Sequence, residues 1–192
     1  MIEVILVLAV AGLIFAATFI ALPSLWTSER DAARKDNMVS FITELKNYQT
    51  NNNRGSLPNA DKATLDAGRV VEVKFDAHGA RTTPAANANV DDNSWAGFYK
   101  NFMGDDFTDP TGQKYNLYVT NCIKTTSVKP GEACNNNNLS TLNPDNNYDL
   151  DYTIYVAIGA TCDSNQAVRS LNMRNVAIIY KLERAGLYCY NS

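Results

Sequence analysis

Residues 2–58, IEVILVLAVAGLIFAATFIALPSLWTSERDAARKDNMVSFITELKNYQTNNNRGSLP, decide how this chain is built. Residues 4–22 form a run of nineteen apolar or small side chains whose one polar member is Thr18. At about 1.5 Å of rise per residue, a helix of that length covers roughly 28 Å, close to the roughly 30 Å of a bilayer's hydrocarbon core. Beyond Pro23 the pattern changes without losing its helical period. Glu29, Arg30, Asp31, Arg34, Lys35 and Asp36 come first, followed by Met38, Phe41, Ile42, Leu45 and Tyr48 at spacings that place them on one face. No Gly/Ser linker separates the two runs, so they read as one helix of about fifty residues, roughly 75 Å long. Proline lacks an N–H and crowds the carbonyl four residues back, so a bend or local unwinding is expected between Phe19 and Pro23. Asn51, Asn52, Asn53, Gly55 and Pro58 then stop the helix.

A cleavable signal peptide fits the apolar run poorly. Such a segment carries positive charge before the run and a small-residue cleavage site after it. Here Met1, Ile2 and Glu3 precede the run, and Pro23, Ser24, Leu25 and Trp26 follow it. A plain membrane anchor accounts for length and apolarity but leaves Glu3 and the continuing helix without a purpose. Glu3 either offsets the helix dipole at the N-terminus or, if buried in an apolar assembly, requires a cationic partner. Ala9, Ala11, Gly12, Ala16, Ala17 and Ala21 would let helices approach closely, although such residues are common in any apolar helix.

The same 57 residues resemble the N-terminal helix of type IV pilins, in the bacterial subgroup whose helix runs on as an Arg- and Asp-rich segment ending in an Asn-rich turn. The resemblance implies a structural, non-enzymatic subunit of an extracellular filament used for adhesion and twitching motility. It implies a short basic leader removed by a prepilin peptidase, a methylated new terminus just upstream of Glu3, and residence in the inner membrane before assembly. By position, Glu3 would neutralise the terminal amine of a neighbouring subunit. Implied partners are other copies of the chain, the peptidase, an assembly platform driven by cytoplasmic ATPases, and a host or surface receptor. Two departures stand out. The chain starts slightly later than the family pattern, as a trimmed sequence would, and its proline lies farther from the glutamate, so any unwound stretch should fall nearer the head. Alternatives are a minor pilin or secretion-system pseudopilin and, from another class, a monomeric membrane-anchored binding module or envelope enzyme.

The remainder, residues 54–192, reads as a β-rich head following the helix of residues 1–53, an α+β arrangement with an antiparallel sheet of about four strands laid on the amphipathic half of the helix. YNLYVT (115–120), YTIYVAI (152–158), VAIIYKL (176–182) and LYCY (187–190) are strand candidates, the last two joined by a hairpin turn. A short helix or strand is expected around residues 70–75 and another short element around 94–102. The four cysteines, Cys122, Cys134, Cys162 and Cys189, lack metal-site spacing and accompany a single histidine, His78, so two disulfides and an oxidising compartment are expected. Three pairings are open. Proximity favours Cys122–Cys134 and Cys162–Cys189, and a cysteine-closed C-terminal hairpin resembles pilin heads.

Composition argues against several function classes. The net charge is −3 and the basic residues do not cluster, unlike a nucleic-acid-binding surface. No GxSxG and no phosphate-binding glycine loop are present, so no catalytic residue, cofactor or metal is assigned. Asp105, Asp106 and Asp109 in GDDFTDPTG could offer oxygens to calcium, and DPTGQKY faintly resembles a calcium loop of some pseudopilins, but the spacing is not that of an EF-hand. A solvated turn headed by Asp109-Pro110 and Gly112 is the favoured reading. Trp95, Phe98, Tyr99 and Phe102 lie at helical spacing and read as core. Asn138-Leu139-Ser140 matches a glycosylation acceptor within an Asn-rich tract where chance matches are frequent.

Overall fold

The computed structural model describes residues 2–51, 55–58, 71–75, 81–83, 91–104, 107–122, 134, 152–184 and 186–192. It is an α+β protein. A single helix, α1 (Ile2–Asn51), leads into a head built on a six-stranded sheet. In chain order the head contains β1 (Val71–Phe75), β2 (Arg81–Thr83), the short helix α2 (Trp95–Phe98) continued by a π-helical turn (Tyr99–Met103), β3 (Asn116–Asn121), β4 (Thr153–Ile158), β5 (Ala160–Asp163), β6 (Gln166–Arg169), β7 (Val176–Leu182) and β8 (Gly186–Asn191).

The main sheet has the order β2-β1-β3-β4-β7-β8, and β5 and β6 pair separately as a hairpin. All its neighbours are antiparallel except β3 and β4, which run parallel from Asn116↔Thr153 to Asn121↔Ile158. This corrects the expectation of about four antiparallel strands. The thirty-odd residues between β3 and β4 are ample for the crossover that parallel neighbours require. The added strands β1 and β2 extend the sheet on one side, β1 falling where a short helix or strand was expected.

Alternation along the strands sorts the side chains into two layers. Leu117, Val119, Ile154, Val156, Ile158, Val176, Ile178, Tyr180 and Leu182 face α1 and pack with Met38, Phe41, Ile42, Leu45 and Tyr48. Trp95, Phe98 and Tyr99 close this core, with Phe98 edge-on to both Phe41 and Tyr48. Tyr118, Tyr155, Ala157, Ala177, Ile179 and Cys189 face the other way and are covered by Ala160 and Ala167 of the β5–β6 hairpin. Because the central strands are covered on both faces, every residue of β4 is buried, and its sequence is a near-continuous apolar run. Gly159, at φ +71°, turns the chain out of β4 and into the hairpin.

Two disulfides fasten this second layer. Cys122, just past β3, is bonded to Cys134, and Cys162 of β5 is bonded to Cys189 of β8. The Cys134 N–H donates to the Ala167 carbonyl at 3.0 Å, tying that bridge to the hairpin as well. With sequence separations of 12 and 27, the loops they close restrict the unfolded chain by about 3–4 kcal/mol each.

Pro23 lies inside α1, and the helix is continuous through it. The expected unwinding between Phe19 and Pro23 is absent from the subunit. One lost hydrogen bond is a local defect, and roughly twenty helical residues on either side hold the geometry across it.

Candidate functional site

The two halves of α1 meet different surroundings. From Ile2 to Ile20 every large apolar side chain is at least half exposed, Phe15 by 67% and Phe19 by 74%. Leu25 and Trp26 extend the exposed face past Pro23. None of the most apolar 18-residue stretch is buried, and the helix is long and apolar enough to cross a membrane. Thr18 donates its hydroxyl to the Ile14 carbonyl at 2.8 Å, so the polar group within this run is satisfied by its own helix. Glu3 sits in the first turn with its side chain exposed.

The second half is held by packing and by a buried ionic cluster at the neck, where α1 meets the head. Arg34 is its centre. Its guanidinium grips the Asp109 carboxylate with two hydrogen bonds, Nε to Oδ2 and Nη2 to Oδ1 at 3.2 Å. Nη2 also pairs with Glu183 Oε1 at 3.1 Å, and Nη1 lies 3.6 Å from Asp31 Oδ1. Asp31 in turn accepts the backbone N–H groups of Glu183 and Arg184, at 2.8 and 3.2 Å, capping the β7–β8 turn. Arg30 pairs with the other Glu183 oxygen at 3.0 Å, and Arg184 donates to the Ser24 carbonyl at 3.1 Å. One helix face is thereby joined to the 108–114 loop and to the end of β7.

Asp109 shows how the local sequence builds the cluster. Its Oδ1 accepts the Thr111 N–H and hydroxyl at 2.9 and 2.7 Å, and its carbonyl accepts the Gly112 N–H at 2.7 Å. This closes the Asp-Pro-Thr-Gly turn in the way expected of an Asx-headed turn. The turn is not solvated at Asp109, whose side chain is fully buried against Arg34. The hydrogen bonds from Arg34 and Thr111 occupy both oxygens of that carboxylate, so Asp109 is engaged in holding the helix. Asp105, Asp106, His78 and residues 138–140 lie outside the described residues, and among the described residues no three metal-ligating side chains come together.

Burial by itself would raise the Asp109 pKa. The hydrogen bonds from Arg34 and Thr111, with the Arg34 charge, outweigh it and hold the carboxyl below its ordinary value. For Arg34, burial would weaken the hold on its proton, but the Asp109 hydrogen bond and the charges of Asp109 and Glu183 leave the pKa above its usual value. The Arg34–Asp109 pair is therefore charged on both sides at neutral pH. Burial also pushes the phenols of Tyr99, Tyr115 and Tyr180 up, so all three stay neutral. Tyr115 accepts from Asn37 Nδ2 at 3.3 Å, a further tie between α1 and the head.

Sequence reading gave no role to Arg34, Asp31 or Glu183. A signal was present, since Asp31 and Arg34 continue the periodic stripe of Met38, Phe41, Ile42, Leu45 and Tyr48 toward the N-terminus. Their charge gave no reason to expect burial, although the helical period pointed Asp31 and Arg34 inward. Trp95, Phe98 and Tyr99 are buried and Phe102 packs against them, so these rings form core. Comparison with known protein families, with characterised proteins and with solved structures finds no match.

Proposed function

We propose that this chain is the structural subunit of a type IV pilus-like extracellular filament, in which the apolar half of α1 packs against the same half of other copies. The outline is pilin-like in shape: a long apolar helix, a sheet laid on its second half, and a disulfide closing the C-terminal strand. The observation that carries the reading is the rigid connection between the exposed apolar segment and the head. The helix runs unbroken from Ile2 to Asn51, and its second half is locked by Arg34 to two separate head segments. A membrane tether has no need of such rigidity. A helical polymer does, because every head must hold one fixed orientation relative to the core helices.

Lipid satisfies the apolar surface before assembly, and neighbouring helices satisfy it afterwards, so one sequence serves both stages. Glu3 is costly if buried alone and is neutralised by the terminal amine of an adjacent copy. The subunit would thus be processed by a prepilin peptidase, stored in the inner membrane and polymerised by an assembly platform, with adhesion and twitching motility as the activities of the fibre. Its role is structural, without catalysis.

Electron microscopy of fibres sheared from producing cells, with mass spectrometry of the subunit terminus, tests this directly. Thin fibres made mainly of this chain, lost in Glu3→Ala while the head retains its disulfides, are expected. A chain found only in membranes as a monomer, or normal fibres from Glu3→Ala, would overturn the reading or its account of Glu3, respectively. Fibres containing the chain only as a trace component would assign it to the minor pilins.

A further inference from the structure

Two features at opposite ends of the head are not used by α1 packing or by the Arg34 cluster. The loop between β6 and β7 carries Leu171 and Met173, 88% and 65% exposed, which outside α1 are the only large apolar side chains so exposed among the described residues. Arg174 beside them lies against Gln49, Thr50 and Gly55, placing this loop at the C-terminal end of α1. At the other end of the head, Trp26, Glu29, Ala33 and Pro110 line a shallow groove of about 400 Å³ together with Arg30, which is already paired with Glu183.

We infer that this groove receives the Leu171–Met173–Arg174 loop of a second copy. Trp26, Ala33 and Pro110 supply an apolar floor for Leu171 and Met173, and exposed Glu29 supplies the charge opposite to Arg174. The two surfaces differ and lie at opposite ends, so the contact is heterologous. Such a contact gives a ring where its rotation closes and an open filament where successive copies are displaced along an axis, as parallel copies shifted along α1 are. Residues 26–33 and 49–50 of α1 are about twenty residues apart, or about 30 Å along the helix. Parallel copies joined in this way therefore repeat at about 30 Å along α1, which forms a line of heads outside the packed helices. The inference rests on the filament reading, and it adds a second, head-to-head contact to the helix core.

The test is a charge exchange in the full chain, read as fibre yield after shearing. Like charges facing each other in a contact are strongly unfavourable, so Glu29→Arg and Arg174→Glu should each reduce fibres at least about tenfold, and the two together should restore most of the yield. Intact disulfides in each variant would exclude a folding failure. Independently, Ala33→Cys combined with Met173→Cys should give a ladder of covalently linked subunits when assembled fibres are oxidised, because the natural cysteines are all bonded to each other. Unchanged yield from the single reversals, or intact fibres that give no ladder, would overturn the contact while leaving the filament reading in place. Full fibre yield with lost surface attachment in Leu171→Ser would assign the loop to an outside ligand instead. Absence of fibres from the unsubstituted chain would remove the filament reading and this contact with it.

Discussion

The first and second halves of α1 belong to one continuous helix, yet they keep nothing else in common. Phe15 is 67% exposed and Phe41 is fully buried. From Ile2 to Ile20 the first half is apolar on all sides, and its large side chains are left exposed by the described residues of the chain. The second is apolar on one stripe, which the sheet covers. A helix apolar on all sides is not completed by its own head, only by lipid or by other helices. Burial within the subunit measures stability of the head, whereas exposure in the first half measures what the subunit still lacks.

Substitutions in the second half should have the largest effect on subunit folding. Phe41→Ala removes a ring packed against Phe98 and Phe107 and should cost roughly 3–5 kcal/mol. Arg34→Ala leaves Asp109 buried without its cation and should cost about as much, roughly 3–5 kcal/mol. Thermal or denaturant unfolding of the full chain in detergent reads both. Wild-type stability in either variant would mean that the head does not depend on this half of the helix.

Acid should separate the ionic anchor from the apolar one. The folded-state pKa of Asp109 lies below its unfolded value, so its contribution is present above about pH 4 and is lost as pH falls through the folded pKa. Unfolding followed from pH 7 downward should show Arg34→Ala losing less on acidification than the parent chain. In that variant an unpaired, buried Asp109 favours its neutral form. A parallel decline in the two chains would remove Asp109 from the neck's stability.

The smallest effect on folding is expected in the first half. Phe15→Ala should change subunit stability in detergent by less than about 0.5 kcal/mol, since the ring is 67% exposed and belongs to no buried core. The same variant should make fewer fibres. Unfolding shifted as strongly as for Phe41→Ala would abolish the distinction between the halves.

Much of the architecture was legible because it rests on periodicity. The uninterrupted apolar run, the stripe from Met38 to Tyr48 and the four runs that became β3, β4, β7 and β8 were all readable to within about a residue. The β5–β6 hairpin was missed because ATCD and QAVR are short and half-polar, with only Ala160 and Ala167 fully buried. The parallel pairing of β3 and β4 was missed because strand direction depends on the path between them, and composition does not specify that path.

The sequence by itself determined that a long helix carries a β-rich head and that its first half needs an apolar environment, since both follow from spacing along a single chain. Only the tertiary structure decided which cysteines join, which face of the sheet the hairpin covers, and that Asp31 and Arg34 point inward. Those facts depend on partners brought from far away. Asp109 is 75 residues from Arg34, and the Glu183 amide is 152 residues from Asp31. A charge on a helix reads as solvated until the fold supplies its opposite and removes the water, because burial of a charge is tolerated only when it is paired and hydrogen-bonded.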